Sequence, residues 1–462
     1  MTDLHVDALV IGSGQGGGPL AGALAGAGRR TLLVERRHIG GTCINEGCTP
    51  TKTMIASARV AYLAKRAGDF GVQCGDVSVD LSAVVARKRA IVSDFRQGSD
   101  RALVRAGVEI VFGDARFAGE RRVEVRMPDG SLQTYVASTI IINTGARPAR
   151  PDVAGLEQVA ALDSTSIMEL DEVPTHLLVL GGGYVGVEFA QMFRRFGSRV
   201  TIVNAGPQLL AHEDEDVATA VASILREDGI ELVLGARAGA VARSPNGVTL
   251  TVSSGGGDRQ IAATHLLVAT GRVPNTETLG APAGGIALDA RGYVRVDDRL
   301  ATTAPGVYAI GDVKGGPAFT HISYDDFRVL RTNLLEGGTA SIAGRLVPYT
   351  VFLDPQLGGV GLTEREARAH GRSIAIASMP MSHVARALET AEPRGFMKAI
   401  VDRESRQILG CAVLGIEGGE IMTMLQLAMM GRVPYTALRD AVFAHPTLAE
   451  SLNNLFATLT PV

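Results

Sequence analysis

The sequence predicts an α/β fold built on two Rossmann-like dinucleotide-binding domains. Three observations predict it: a glycine fingerprint set between an apolar run and an alanine-rich stretch, a second copy of that arrangement, and a similar strand-and-turn phrase after each copy. A chain of 462 residues is long enough for several domains with their own cores.

In the first copy Val6–Ile11 reads as a strand rich in β-branched residues, GSGQGGG as a turn and Leu20–Ala27 as a helix. Gly12, Gly14 and Gly17 spell G-x-G-x-x-G. Glycine suits a tight turn that lets a pyrophosphate approach the helix N-terminus, where unpaired N–H groups and the dipole hold negative charge. The next strand, Thr31–Val34, ends in Glu35, 35 − 14 = 21 residues past the middle glycine, where an acid takes a ribose 2′-hydroxyl.

In the second copy His176–Leu180 is the strand, Gly181, Gly183 and Gly186 supply the turn, Glu188–Phe196 the helix and Arg199–Val203 the following strand. TIIINTGARP, ending at Pro148, and HLLVATGRVP, ending at Pro274, close the two copies alike. Two dinucleotide sites mean either a donor and an acceptor or one degenerate half, and the first reading is preferred. The same count, 183 + 21 = 204, reaches neutral Asn204, so the choice between NADH and NADPH stays open, with Arg199 or Arg272 as candidates for a 2′-phosphate.

Composition excludes several function classes. Hydrophobic residues are 46% and charged residues 20%, which rules out a disordered, collagenous or coiled-coil chain. Lys and Arg number 45 against 48 Asp and Glu with no basic patch, so neither nucleic acid nor an anionic membrane is expected as partner. The 56 glycines carry no G-X-Y period and suit close approaches to bound phosphates. No apolar run is long enough to cross a bilayer, and the first strand begins before a signal peptide has room, so a cytoplasmic protein is expected.

Cytosolic thiols are normally reduced, so the closely spaced Cys43 and Cys48 in GGTCINEGCTPTK point to redox or metal chemistry, while Cys74 and Cys411 are isolated and expected to be inert. C-x4-C is not a common zinc pair and no second pair follows, so no resident metal is expected. The short loop suits a reversible disulfide; two structural cysteines are the alternative. Thr49 and Pro50 read as N-cap and first helical residue, which puts Cys48 where a helix dipole lowers a thiol pKa.

Taken in order, GSGQGGG, GGTCINEGCTPTK, TGARP, GGGYVGVEFA, ATGRVPNT, GVYAIGDV and AHPTLAE resemble the class I pyridine nucleotide-disulfide oxidoreductases, the family of dihydrolipoamide dehydrogenase, glutathione reductase and mercuric reductase. The resemblance spans essentially the whole chain. It implies a homodimer with shared active sites, using FAD with NADH or NADPH. The FAD domain would occupy 1–150, the NAD(P) domain 151–274, a central segment 275–345 would complete the FAD domain, and an α+β dimerisation domain would fill 346–462. FAD would lie against Gly12, Gly14, Gly17, Glu35, Gly41, Thr42, Lys52, Gly145 and Asp312, and the nicotinamide nucleotide against Gly181, Gly183, Tyr184, Gly186, Asn204 and Gly271. Cys43 resembles the interchange thiol that attacks substrate and Cys48 the thiol that contacts the flavin. Lys52 and Glu188 match an ion pair beside flavin N5, Tyr184 an aromatic gate that moves when nicotinamide docks, and Asp312 the acid that binds the ribityl chain. His445 resembles the acid–base residue lent across the dimer interface to the other subunit's Cys43, with Glu450 orienting it.

The resemblance implies reduction of a small disulfide or another oxidant. Metal-ion (mercuric or copper) or quinone reduction and dihydrolipoamide dehydrogenase activity stand as alternatives. FTHISYDDFRVL resembles the metal- or reactive-chlorine-responsive branch, yet the family's mercuric reductases carry a C-terminal cysteine pair that ESLNNLFATLTPV lacks. A non-catalytic assembly subunit is a further reading, opposed by the presence of Cys43, Cys48 and His445. The acidic run His212–Asp216 reads as the solvated first turn of a helix, and Met422, Met424, Met429 and Met430 as core at the dimer interface.

Overall fold

The computed structural model describes residues 3–459. They form two compact units: the first comprises the chain up to Met54, Ser82–Ala149 and Gly271–Arg345, the second Ile55–Leu81, Arg150–Thr270 and the chain from Leu346.

The first unit is organised by a sheet in which Leu4–Ile11 lies between Thr31–Glu35 and Leu132–Ile142, all parallel, with Glu109–Phe112 beyond Thr31–Glu35 and Val307–Ala309 also parallel to Leu132–Ile142. Both faces are covered, which is why these strands read as continuous apolar runs. Leu9, Ile11, Leu32, Val34, Ile140 and Ile142 pack on one face, and Ala8, Val10, Leu33 and Ile141 on the other beside Leu20 and Leu24 of the helix Gly17–Gly26. That helix starts earlier than the alanine run suggests, because Gly17 and Gly18 are buried in its first turn.

In the second unit a parallel sheet runs Ile230–Leu234, Arg199–Asn204, His176–Leu180, His265–Val268, repeating the strand–turn–helix plan. Its helix, Tyr184–Phe196, also begins sooner than expected, so Tyr184 is its first residue. The C-terminal part is a five-stranded antiparallel sheet, Tyr349–Val351, Gln356–Gly361, Ile408–Gly415, Phe396–Asp402, Ile374–Pro380, with the helix Gly418–Met430 laid across it. The helix comes that close because Gly358 has no side chain: a Cβ there would sit 2.5 Å from the Gly418 carbonyl oxygen. Met422 belongs to this unit's own core, whereas Met430 is 63% exposed.

A buried charge cluster ties parts of the second unit together. The Asp354 carboxylate takes Arg195 at 2.5 Å and Arg59 at 2.6 Å, while its backbone N–H donates to Gln191 Oε1 at 2.8 Å. Removing one partner of such a cluster strands buried charge. Asp354→Ala is therefore expected to destabilise the protein by about 3–5 kcal/mol, read as a fall in denaturation midpoint; an unchanged midpoint would mean the arginines find other partners.

Candidate active site

The first fingerprint turn is built from backbone. Gly12 has φ +99°, and a Cβ there would lie 2.3 Å from the Asn143 carbonyl oxygen; one at Gly17 would lie 2.2 Å from the Gly12 carbonyl oxygen. Gly41, at φ +63°, brings the cysteine-bearing loop onto this turn, since its Cβ would fall 2.6 Å from Gly14 Cα. Glu35 closes the end of its strand: Oε2 accepts from Ser13 N at 3.0 Å and Ser13 Oγ at 2.6 Å.

Asn143, which sequence reasoning missed, is buried at the end of Leu132–Ile142. Its Oδ1 accepts the Gly17 N–H at 2.9 Å, and its amide donates to the Ile310 carbonyl at 3.0 Å. One side chain thus fixes the fingerprint helix to the segment that carries Asp312. Burial holds the Asp312 carboxyl above its usual range, with the Arg272 guanidinium at 3.8 Å opposing the shift. Thr144 Oγ1 is buried with no hydrogen-bond partner among the described residues. A turn in which side chains are sterically barred, an acid at the ribose position and an orphaned hydroxyl beside them fit an FAD held by Gly12, Gly14, Gly17, Glu35, Gly41, Thr42, Gly145 and Asp312.

The dithiol lies in the same unit. Cys43 is in the short helix Gly41–Asn45, and Cys48 is the first residue of the helix Cys48–Lys65. The expected Thr49 cap is thereby corrected: the helix starts before it and Pro50 is its third residue, tolerated because a first-turn N–H has no intrahelical partner to lose. The two cysteines are not bonded as a disulfide but are joined by a side-chain hydrogen bond. That bond, then burial and the charge of Cys48, push the Cys43 thiol far above the usual range, so this pair resists holding two thiolates at once. Thr320 works the other way. The first residue of the helix Thr320–Leu335, it places Oγ1 3.3 Å from Cys48 Sγ and also hydrogen-bonds Cys43, lowering its pKa. Thr320→Val is expected to raise the thiol pKa further and slow alkylation of the reduced protein about tenfold at neutral pH, with the rate recovered at higher pH. An unmoved pH profile would contradict a role for the hydroxyl.

Lys52 follows Cys48 by four residues on the same helix and so shares its face. Glu188 belongs to the other unit, where it is buried and accepts from Phe352 N at 2.8 Å. In the second fingerprint Gly181 has φ +116° and a Cβ at Gly186 would lie 2.0 Å from the Gly181 carbonyl oxygen, whereas one at Gly183 would meet nothing within 4 Å. Asn204 is built into the turn: Oδ1 accepts from Gly182 N at 3.0 Å, and the amide donates to the Gly206 and Gln208 carbonyls. Arg199 begins the strand that Asn204 ends and faces Glu231 at 3.5 Å, so it cannot serve a ribose beside Asn204. Arg272 lies beside Asp312 in the first unit.

The acidic run is a solvated helix start only in part: Glu215 and Asp216 are exposed in the first turn, but the residues before them are engaged. Glu213 is 2% exposed and accepts from Tyr184 and Tyr349, and Asp214 accepts the backbone N–H groups of Glu364 and Arg365 while meeting Lys398 at 3.2 Å. Only from Glu215 onward does the helix, Glu215–Glu227, begin. Cys411 is buried and its thiol pushed up to about 12, which suits an inert residue.

His445 is 69% exposed in the single chain, with Nδ1 2.9 Å from Glu450 Oε2, so the carboxylate fixes the ring and turns Nε2 outward.

The chain is similar to known proteins along almost its whole length. The family model described as pyridine nucleotide-disulphide oxidoreductase matches residues 6–326, and that of the family's dimerisation domain matches 347–456. The chain belongs to the pyridine nucleotide-disulphide oxidoreductase family. It is 38% identical over 97% of its length, and 98% of the relative's, to the "Probable pyridine nucleotide-disulfide oxidoreductase RclA" of Escherichia coli K12. It is 35% identical to a mercuric reductase of Streptomyces lividans, covering 98% of this chain and 96% of that one. Among solved structures, the Cu(II) complex of the HOCl-induced flavoprotein disulfide reductase RclA from Escherichia coli superposes with a TM-score of 0.90 at 38% identity, covering 99% of each chain. As a family member the protein is an oxidoreductase acting on sulfur groups with FAD and NAD(P)H as cofactors, and its dimerisation domain supports a homodimer. No described helix is long and apolar enough to cross a membrane.

Proposed function

We propose that this protein is an NAD(P)H-dependent reductase of a small disulfide, in which Cys43 attacks substrate, Cys48 resolves the mixed disulfide and His445 of the partner subunit moves the proton. The observation that carries the reading is the hydrogen-bonded pair of thiols in contact with Thr320. Residues 1–150 and 275–345 would form the FAD domain, 151–274 the NAD(P) domain and 346–462 the dimer interface.

Bound FAD supplies the two-electron relay between NAD(P)H and the Cys43–Cys48 disulfide. The chain's own residues do the rest. Lys52 and Glu188 are assigned to flavin N5 and Tyr184 to the nicotinamide pocket, with Gly181, Gly183, Gly186, Asn204 and Gly271 along the nucleotide. Cys43 thiolate displaces one thiolate from the substrate disulfide; Cys48 then attacks Cys43 Sγ, releasing the second and closing the Cys43–Cys48 bond. His445, oriented by Glu450, takes the proton from Cys43 and returns it to the leaving thiolate. The proposal places the protein in the cytoplasm, where thiols outside the redox pair stay reduced.

A second reading, metal-ion reduction, is favoured by the Cu(II) held in the solved relative. Anaerobic turnover assays with low-molecular-weight disulfides, Cu(II) and a quinone, each with NADH and NADPH, decide between them. Rapid, Cys43-dependent turnover of a disulfide supports the proposal; turnover of Cu(II) or quinone alone refutes it.

A further inference from the structure

Tyr184 is not loose in the structure. Its hydroxyl donates to Glu213 Oε1 at 3.0 Å, and its ring stacks on that of Tyr349 with centroids 5.6 Å apart and planes 16° from parallel. Tyr349 reaches the same carboxylate and lies 2.8 Å from both of its oxygens. Burial and the adjacent carboxylate hold both phenols above the usual tyrosine range, so both remain donors at neutral pH.

The three residues differ in how firmly they are placed. Tyr349 sits in the strand Tyr349–Val351 opposite Gly359, where a Cβ would come 2.3 Å from its hydroxyl oxygen, so the glycine makes room for the phenol head. Glu213 is held by its backbone: its N–H donates to the Leu210 carbonyl at 2.8 Å, and Leu210 N donates to Gly182 in the fingerprint turn at 2.9 Å. Tyr184 is the first residue of its helix. A cavity of about 130 Å³ is lined by Tyr184 together with Glu213, Tyr349, Thr363 and Cys411 among others.

We propose that Glu213 and Tyr349 are positioning residues that latch Tyr184, and that Tyr349 is the standing donor that keeps the Glu213 carboxylate satisfied when Tyr184 swings aside for the nicotinamide. The inference rests on the reading of Tyr184 as the nicotinamide gate. With two donors on one buried carboxylate, Tyr184 can leave without stranding the charge. With Tyr184 as sole donor, leaving would expose an unpaired buried carboxylate, and the gate would stay shut. A closed gate lowers apparent nucleotide affinity by the fraction of molecules that are closed.

The test is calorimetric binding of NAD+ and NADP+ to the FAD-loaded dimer, where no turnover occurs, using wild type, Tyr349→Phe, Tyr184→Phe, Tyr184→Ala and the Tyr184→Phe/Tyr349→Phe double variant. Flavin absorbance and the melting temperature check that each variant is folded. Tyr349→Phe is expected to weaken binding of the preferred nucleotide at least about fivefold in the wild-type background and to have no effect in the Tyr184→Phe background. Glu213→Gln, a weaker acceptor, is expected to release Tyr184 and strengthen binding toward the Tyr184→Phe value. Equal weakening by Tyr349→Phe in both backgrounds marks a merely structural role and overturns the latch, as does unchanged binding in the wild-type background. If Tyr184→Ala and Tyr184→Phe both bind nucleotide as wild type does, the gate reading itself fails and the latch with it. A strong effect of Tyr184→Ala with none of Tyr349→Phe refutes the latch alone.

Discussion

Changing Cys43 to serine is expected to lower disulfide turnover by at least about a thousandfold while leaving reduction of the bound flavin by NAD(P)H intact. A serine hydroxyl in that place ionises far less readily than a thiol and forms no mixed disulfide. Cys43 lies in a short helix against the fingerprint turn, half-buried and hydrogen-bonded to Cys48, and without it Cys48 has no partner thiol with which to close a disulfide and release the reduced substrate. The isolated cysteines offer no substitute: Cys411 is buried with a raised pKa, and Cys74 has no role in the pair. Steady-state disulfide reduction and single-turnover flavin bleaching separate the two half-reactions. Undiminished disulfide turnover would sink the thiol mechanism.

The second large effect is expected at His445. His445→Ala is expected to slow the disulfide half-reaction about a hundredfold or more with little change in flavin reduction, since a positioned acid–base group contributes on that scale. The imidazole is aimed by Glu450 at 2.9 Å and projects from a largely exposed segment, as a group serving a second subunit must. The loss should appear in the pH dependence of thiol exchange, with the variant requiring more alkaline conditions to form the Cys43 thiolate. Equal losses in both half-reactions would make His445 a structural residue.

How much of this was legible in the sequence depended on whether a residue acts through its neighbours along the chain or through distant ones. Gly12, Gly14, Gly17 and Glu35 announce themselves because strand, turn and acid are consecutive, and their steric need is local. The spacing of Cys43 and Cys48 is legible for the same reason. Asn143 and Thr320 were not, because what they do is defined by partners far along the chain: Asn143 caps Gly17, and Thr320 meets Cys48. Glu213 misled because acids ahead of an apolar-periodic stretch look like a solvated first turn, and only the tyrosine hydroxyls of Tyr184 and Tyr349 reveal it as buried. The Thr49–Pro50 pair was a sound capping signal in isolation, but the chain enters the helix at Cys48 and proline is accommodated within the first turn.

In the proposed cycle, electrons from the nicotinamide nucleotide reach the Cys43–Cys48 pair through the flavin. Anaerobic rapid mixing of the purified FAD-loaded dimer with NADH and with NADPH, followed at long wavelength, tests it most directly. A thiolate-to-flavin charge-transfer band is expected to form after mixing with the preferred nucleotide and to be lost in Cys48→Ser. Bleaching of the flavin with no such band in the wild-type protein would contradict it, leaving the cysteines outside the electron path.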